Sequence, residues 1–285
     1  MTEFEEYFAL AERQSWRATD LAWDEIDVHN MSELDRQLVL AASIIENGFP
    51  YYADAWTRIP EIKDEWELWQ FAIVWAGEEH RHSYVLKRLA QEIDVVGSSE
   101  YYEQSKPASS NHYYELASRG EFGRLQKERC ECYNTIAGML TYTTIQELLA
   151  SKYYANIAQN TKSAFLKDVW LRISRDEARH HAFFAKALVR YCDRSKDREQ
   201  YLDNIFHAIE HFVLPHSIQT FESSLFDKVT TFTARDHAHF KFRIARIMSF
   251  DASLAKRLLA TYSGQRAVYN KVRSLASAVK SMGLN

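Results

Sequence analysis

The sequence predicts an all-α fold, with a four-helix bundle core and additional helices before and after it. Three observations lead there. Only 8 Gly and 4 Pro in 285 residues leave few breakers, which favours long helices over many short strands. Apolar residues recur every three to four positions over stretches far longer than a strand. Two of those stretches carry a Glu and a His three residues apart on an otherwise apolar stripe. The composition, 46% hydrophobic and 26% charged, is that of an ordinary globule, and the length suits one large core. With no low-complexity segment and no linker, residues 1–285 read as a single domain.

Residues 3–18 read as a short amphipathic helix and 19–31 as an irregular link ending at an Asn30/Ser32 cap. The first core helix spans about 32–56, with Leu38, Val39, Ala42, Glu46 and Phe49 inward. Pro50 lies four residues after Glu46 and has no N–H for the Glu46 carbonyl, so the helix should kink or loosen there. Pro60 opens the second core helix, about 61–93, with acids in its first turns and Lys87 and Arg88 near its end. The run from Asp94 to Ser99 stops it. Residues 100–122 are the least regular part. The third core helix covers about 124–158, its inner stripe small and mildly polar: Leu140, Thr143, Thr144, Glu147, Ala150, Ser151 and Tyr154. The fourth covers about 162–192, and further helices are expected over 198–281.

The chemistry lies in Glu79-His80-Arg81-His82 and Glu177-Ala-Arg-His180. Three residues along a helix turn through about 300°, so each Glu and His share one face. Those faces are otherwise apolar: Leu68, Ala72, Trp75, Ala76, Leu86 and Leu89 in one, Trp170, Ile173, Phe184 and Leu188 in the other. A lone Glu-x-x-His usually lies on a solvated face, but here each is preceded by another inward acid. Glu46 comes 33 residues before Glu79, and Glu147 comes 30 before Glu177. An antiparallel pair turning at Thr57–Pro60, or at Gln159–Thr161, brings each acid level with its partner. Two such pairs, each giving Glu plus Glu-x-x-His, form the ligand set of carboxylate-bridged di-iron bundles. Four carboxylates and two imidazoles suit two iron or manganese ions better than zinc.

Several features exclude other classes. The acidic start lacks a signal-peptide pattern, and no apolar run approaches the ~20 residues of a membrane span. Cys130, Cys132 and Cys192 lack zinc-like spacing and read as reduced thiols of a cytoplasmic protein. There is no phosphate-binding Gly-rich loop and no basic–aromatic pattern for nucleic acid. His207-Ala-Ile-Glu210-His211 matches an inverted zinc-protease motif, but without a protease frame it reads as core or surface histidines. Asp236-His-Ala-His239 lacks a partner acid and reads as surface. Residues 228–285 carry eleven Lys/Arg against two acids, a balance of +9 that leaves the rest of the chain at −13. This basic end suits either docking of an acidic partner or a solvated face; Arg81, Lys87, Arg88, Arg124 and Lys127 are an alternative patch.

With the six ligands placed, the local sequences resemble those of the soluble acyl-carrier-protein desaturases. Ile45-Glu-Asn-Gly-Phe-Pro-Tyr51 resembles that family's first ligand segment, and Trp75-Ala-Gly-Glu-Glu-His-Arg-His82 its Trp-Thr-Ala-Glu-Glu-Asn-Arg-His. Tyr142-Thr-Thr-Ile-Gln-Glu147 is similar to its Tyr-Thr-Ser-Phe-Gln-Glu, and Asp176-Glu-Ala-Arg-His180 to its Asp-Glu-Lys-Arg-His. The likeness spans about residues 35–190. It implies a ferritin-like di-iron bundle, usually a homodimer, that uses oxygen, electrons from reduced ferredoxin, and an acyl chain carried on acyl carrier protein. Two departures stand out: Asn47 follows the first Glu where the family has an acid, and Ala150 replaces a Thr three residues after the third.

Diferrous iron held by Glu46, Glu79, His82, Glu147, Glu177 and His180 would use oxygen to abstract hydrogen from an unactivated C–H bond. Two abstractions leave a double bond; one followed by rebound leaves a hydroxyl. Trp69, Phe71, Trp75 and Phe184 either wall an apolar tunnel or form plain core. Asp176 is expected to accept a hydrogen bond from His82, because metal-bound histidines usually donate their other N–H to a carboxylate. Two alternatives stay open: a di-iron hydroxylase or N-oxygenase, and a non-catalytic metal-binding or iron-storage bundle. Storage is disfavoured by some 95 residues beyond position 190.

Overall fold

A computed structural model describes residues 2–57, 59–95 and 135–210, and all regular structure among them is helical. In chain order the described helices are α1 (Glu3–Gln14), α2 (Glu33–Glu46), α3 (Phe49–Thr57), α4 (Pro60–Asp64), α5 (Trp66–Glu92), α6 (Ile136–Asn160), α7 (Ala164–Arg194) and α8 (Arg198–Glu210). The sequence marks most of their starts. Thr2 and Glu5 form a capping box on α1, and Ser32 and Asp35 form another on α2. Thr135 accepts from the N–H of Gly138, and Ser163 from that of Leu166, capping α6 and α7. The segment expected to be an irregular link holds three short 3-10 turns, at Ala18–Asp20, Trp23–Glu25 and Val28–Asn30.

The break expected near Pro50 is present. α2 ends at Glu46, the chain turns through Asn47 and Gly48, and α3 begins at Phe49. Pro50 thereby sits in a first helical turn, where its missing N–H costs nothing. A second break was not foreseen: Glu65, at φ −104° and ψ 88°, divides the expected 61–93 helix into α4 and α5. Ile62 on the short helix and Ile59 at its cap are both buried in the core. Asp94, at φ 47°, then closes α5 in the left-handed conformation that Asp tolerates better than most residues. The expected helix of 124–158 is not continuous: Thr135, extended at φ −110° and ψ 149°, caps α6, which starts at Ile136. Residues 124–134, the loops of 100–122, the helices after 210, the basic end and the motifs at His211 and Asp236–His239 lie outside the described residues.

α2 packs on α5, and α6 on α7; α1 lies across α5 and α7, while α8 covers α6 and α7. The apolar interior falls into two slabs. One holds Tyr7, Trp56, Phe71, Trp75, Leu140, Phe183 and Phe184. The other holds Trp16, Leu38, Val39, Leu86, Leu89, Tyr154, Trp170 and Ile173. Phe71 stacks on Phe183 with centroids 3.7 Å apart, and Phe184 meets Phe71, Trp75 and Trp56. These rings pack against one another as core, and Trp69 lies half-buried at their edge. Along α5, α6 and α7 the two slabs meet at one level, and the polar residues occupy that level. Among the described residues no helix is long and apolar enough to cross a membrane.

Gly77 sits mid-helix in α5 on the exposed side, and a Cβ built there meets nothing within 4 Å. Gly77→Ala should therefore stabilise the fold by about 0.5–1 kcal/mol, read as a rise in Tm. Phe71→Ala, in the densest ring cluster, should cost about 3–5 kcal/mol. Denaturant titration of both variants tests the packing described.

Candidate metal centre

The polar level is built from four helices. α2 supplies Glu46 from its last residue, α5 supplies Glu79 and His82, α6 supplies Glu147, and α7 supplies Glu177 and His180. All six sequence-predicted residues come together and all are buried, none more than 6% exposed. Their donor atoms form two overlapping groups. Glu46, Glu79, His82 and Glu177 each offer an atom within 4.8 Å of the others, and so do Glu79, Glu147, Glu177 and His180. Glu79 and Glu177 belong to both groups, whereas Glu46 and Glu147 belong to one each.

Both imidazoles face the cluster through Nδ1. His82 Nδ1 lies 3.3 Å from Glu177 Oε1 and 3.8 Å from both Glu46 Oε2 and Glu79 Oε2, with no aligned hydrogen bond to any of them. His180 Nδ1 lies 3.1 Å from Glu79 Oε1, 3.3 Å from Glu177 Oε2 and 3.4 Å from Glu147 Oε2. The other nitrogen of each ring meets an acid outside the cluster. His82 Nε2 is 3.0 Å from Asp176 Oδ2, and His180 Nε2 is 3.0 Å from Glu78 Oε2. A neutral ring that donates from Nε2 to a carboxylate, as a metal-bound imidazole would, carries its lone pair on Nδ1. Those lone pairs, with four carboxylates, among them a buried Glu79 Oε1 that takes part in no hydrogen bond, fit two hard-to-borderline divalent cations.

Sequence reasoning missed Glu78, although its signal was in plain view: Glu78 precedes Glu79 as Asp176 precedes Glu177. The pairing is crossed, each outer acid serving the histidine of the other helix. Arg179 ties the two acids together, at 2.6 Å from Glu78 Oε1 and 2.8 Å from Asp176 Oδ1. Arg81 adds contacts of 3.1 Å to Asp176 and 3.4 Å to Glu78. The Arg81 guanidinium is thus engaged by these two acids, and Arg88 lies over the Trp23 ring. The N-terminal segment also takes part. Tyr7 donates to Glu78, and Trp16 Nε1 donates to Asp176 Oδ2 at 2.8 Å. No local motif announces these long-range contacts. Tyr154, inward on α6 as expected, donates its hydroxyl to Glu46 Oε1.

Crowded carboxylates and burial set the charge states. Burial, and then Glu79 and Glu177, push Glu46 well above the usual carboxylate range; burial, and then Glu177, do the same to Glu147. Burial also opposes ionisation of Glu177, but hydrogen bonds from Glu147, His180 and His82 outweigh it and hold that group low. For Glu78 the burial penalty is overcome by His180 and Arg179, which bring it down to about 2. Asp176 is held low in the same way by His82 and Arg179. Burial disfavours both imidazolium ions, yet the surrounding acids raise His82 and His180 well above the usual value. Without metal, protons supply the positive charge that the carboxylates demand, and a cation entering the cluster would release them.

Residues 22–239 match the family model of the fatty acid desaturases, a span that covers most of the chain. A comparison with curated proteins finds no match.

A pH dependence follows from the cluster. Glu46, Glu147, His82 and His180 all have folded-state pKa values raised above their unfolded ones. Each lends stability that is complete below its unfolded value and is lost as pH rises through the folded one. The metal-free protein should therefore melt at progressively lower temperature as pH rises from ~5 to ~8. Glu147→Gln should flatten that slope, and saturating divalent metal should remove it. A melting temperature that climbs over this range would contradict the charge states described.

Proposed function

The chain belongs to the fatty acid desaturase family, and we propose that it is an oxygen-dependent di-iron oxidoreductase, an acyl-carrier-protein desaturase that places a double bond in a carrier-bound acyl chain. The observation that carries this reading is the pair of overlapping donor groups sharing Glu79 and Glu177. Glu46, Glu79, His82 and Glu177 would hold one iron; Glu79, Glu147, Glu177 and His180 would hold the other. Bound there, two ferrous ions would supply activation of oxygen and oxidation of an unactivated C–H bond.

The chain's own residues do the rest. Asp176 and Glu78 accept from the far nitrogens of His82 and His180 and keep both Nδ1 lone pairs turned to the cluster. Arg179 and Arg81 hold those acids ionised and in place. The two apolar slabs exclude water from either end, which strengthens every electrostatic contact between them. A ferredoxin-type protein is the proposed electron donor, a second copy of the chain the proposed partner in a homodimer, and the cytoplasm the proposed setting, in keeping with the buried free thiol of Cys192. Ala150, where the acyl-carrier-protein desaturases carry Thr, favours a second reading. In it the same centre hydroxylates or N-oxygenates its substrate.

Purified protein reconstituted anaerobically should hold two iron ions per chain by elemental analysis. Glu79→Ala and His180→Ala should each abolish most of that binding. A single zinc ion, indifferent to both substitutions, would sink the assignment. Mass analysis of an acyl-carrier substrate after reduction and exposure to oxygen should give a loss of two hydrogens for desaturation, or a gain of one oxygen for hydroxylation.

The carrier is tested separately. Reversing Lys241, Arg243 and Arg246 to Glu should weaken carrier-protein binding and flatten its salt dependence while iron content stays unchanged. Full turnover of a free acid or amine with no carrier, unaffected by the triple reversal, would favour the small-molecule oxygenase instead.

A further inference from the structure

We propose that Tyr154 is a positioning residue that makes the two metal subsites unequal, by holding Glu46 in place for the ion it would share with His82. The inference rests on the metal-centre reading and adds a difference between its halves. The two ligand groups are alike in composition, three carboxylates and one imidazole each, and their histidines are braced alike by Asp176 and Glu78. They differ at the carboxylate that each does not share. Glu147 projects from the middle of α6 and leans on Glu177 and His180. Glu46 is the last residue of α2, where the chain is about to leave the helix through Asn47 and Gly48. A side chain at a helix end is held less firmly by its own backbone, so an outside contact must fix it.

Tyr154 makes that contact. Its hydroxyl donates to Glu46 Oε1, which leaves Oε2 facing His82 Nδ1. The ring is 1% exposed, lies parallel to Trp170 at 4° with centroids 5.5 Å apart, and meets Tyr153 edge-on. A tyrosine locked in this way delivers its hydroxyl to one point. Other hydroxyls on α6 are spent elsewhere: Thr141, Thr143 and Thr144 donate to carbonyls one turn back, and Ser151 donates to the Ser174 carbonyl.

Two effects of the hydrogen bond compete. It draws electron density from the carboxylate, which weakens Glu46 as a ligand. It also removes the rotamer freedom that metal binding would otherwise have to freeze. Loss of such an outer partner typically costs 10–100-fold in metal affinity, so orientation outweighs lost basicity.

The test uses the full chain, freed of metal and titrated with Co(II) under argon, with d–d absorption and calorimetry as readouts. Wild type should bind two ions in distinguishable steps. Tyr154→Phe keeps the ring on Trp170 and should still fold, but one step should weaken about tenfold or more while the other moves less than about twofold. Paired variants identify the step. In a Glu147→Gln background Tyr154→Phe should produce the same weakening, and in a Glu46→Ala background, where no acceptor remains for Tyr154, it should change nothing. Equal weakening of both steps, or no weakening in Tyr154→Phe, would overturn this inference and leave the metal centre standing. Wild type that binds no Co(II) would overturn both.

Discussion

Everything in this fold answers to one constraint: four carboxylates and two imidazoles are buried at a single level between two apolar slabs. An isolated buried charge costs several kcal/mol even after relaxation, and like charges within a few ångströms of one another add to that cost. The chain meets it by surrounding the cluster with a second ring of charge. Asp176 and Glu78 take the outward nitrogens of the histidines, and Arg179 and Arg81 neutralise those acids. Metal-free, the inner acids Glu46 and Glu147 are pushed toward their protonated forms. The cluster is thus a site built for positive charge, and the fold carries a standing cost when that charge is only protons.

The crossing of the outer acids gives the bundle a specific geometry as well as a charge balance. Glu78 on α5 serves His180 on α7, and Asp176 on α7 serves His82 on α5. Each helix therefore fixes the other's ligand, and a slide of one along the other would break both contacts together. The N-terminal segment, α1 and the residues just after it, reinforces the same level, with Tyr7 bonded to Glu78 and Trp16 to Asp176, while Gln14 accepts from Arg179. An element that looks peripheral in the sequence is thus part of the support of both subsites. Its two aromatic anchors also belong one to each apolar slab, so the segment spans the polar level from end to end.

Function and stability pull in opposite directions here. The Thr-rich stripe of α6 packs through methyl groups and hydroxyls tied back to its own carbonyls, leaving a helix with little bulk beside the cluster. The aromatic slab on one side and the Trp170–Tyr154 stack on the other are dense by comparison. Rigid packing at both ends holds the ligands at fixed positions, so the cost of bringing the carboxylates together is met by the fold before any metal arrives.

The sequence by itself determined the helical class, most helix starts, the break near Pro50 and the six residues that meet at the polar level. It could do so because these depend on local rules: capping residues, a missing proline N–H, and the period that sets Glu and His on one face. Even the level of Glu46 and Glu147 followed from counting residues to a turn. Tertiary structure alone decided the rest. Which acid braces which histidine, the pairing of Arg81 with Asp176, the reach of Tyr7 and Trp16 across the bundle, and the hold of Tyr154 on Glu46 join residues 71 to 160 positions apart. No periodicity encodes such pairs, because they exist only once the helices have crossed. Glu65 is a smaller case: no Gly or Pro marks it, yet the chain leaves the helix there, and Ile59 and Ile62 just before it lie in the core.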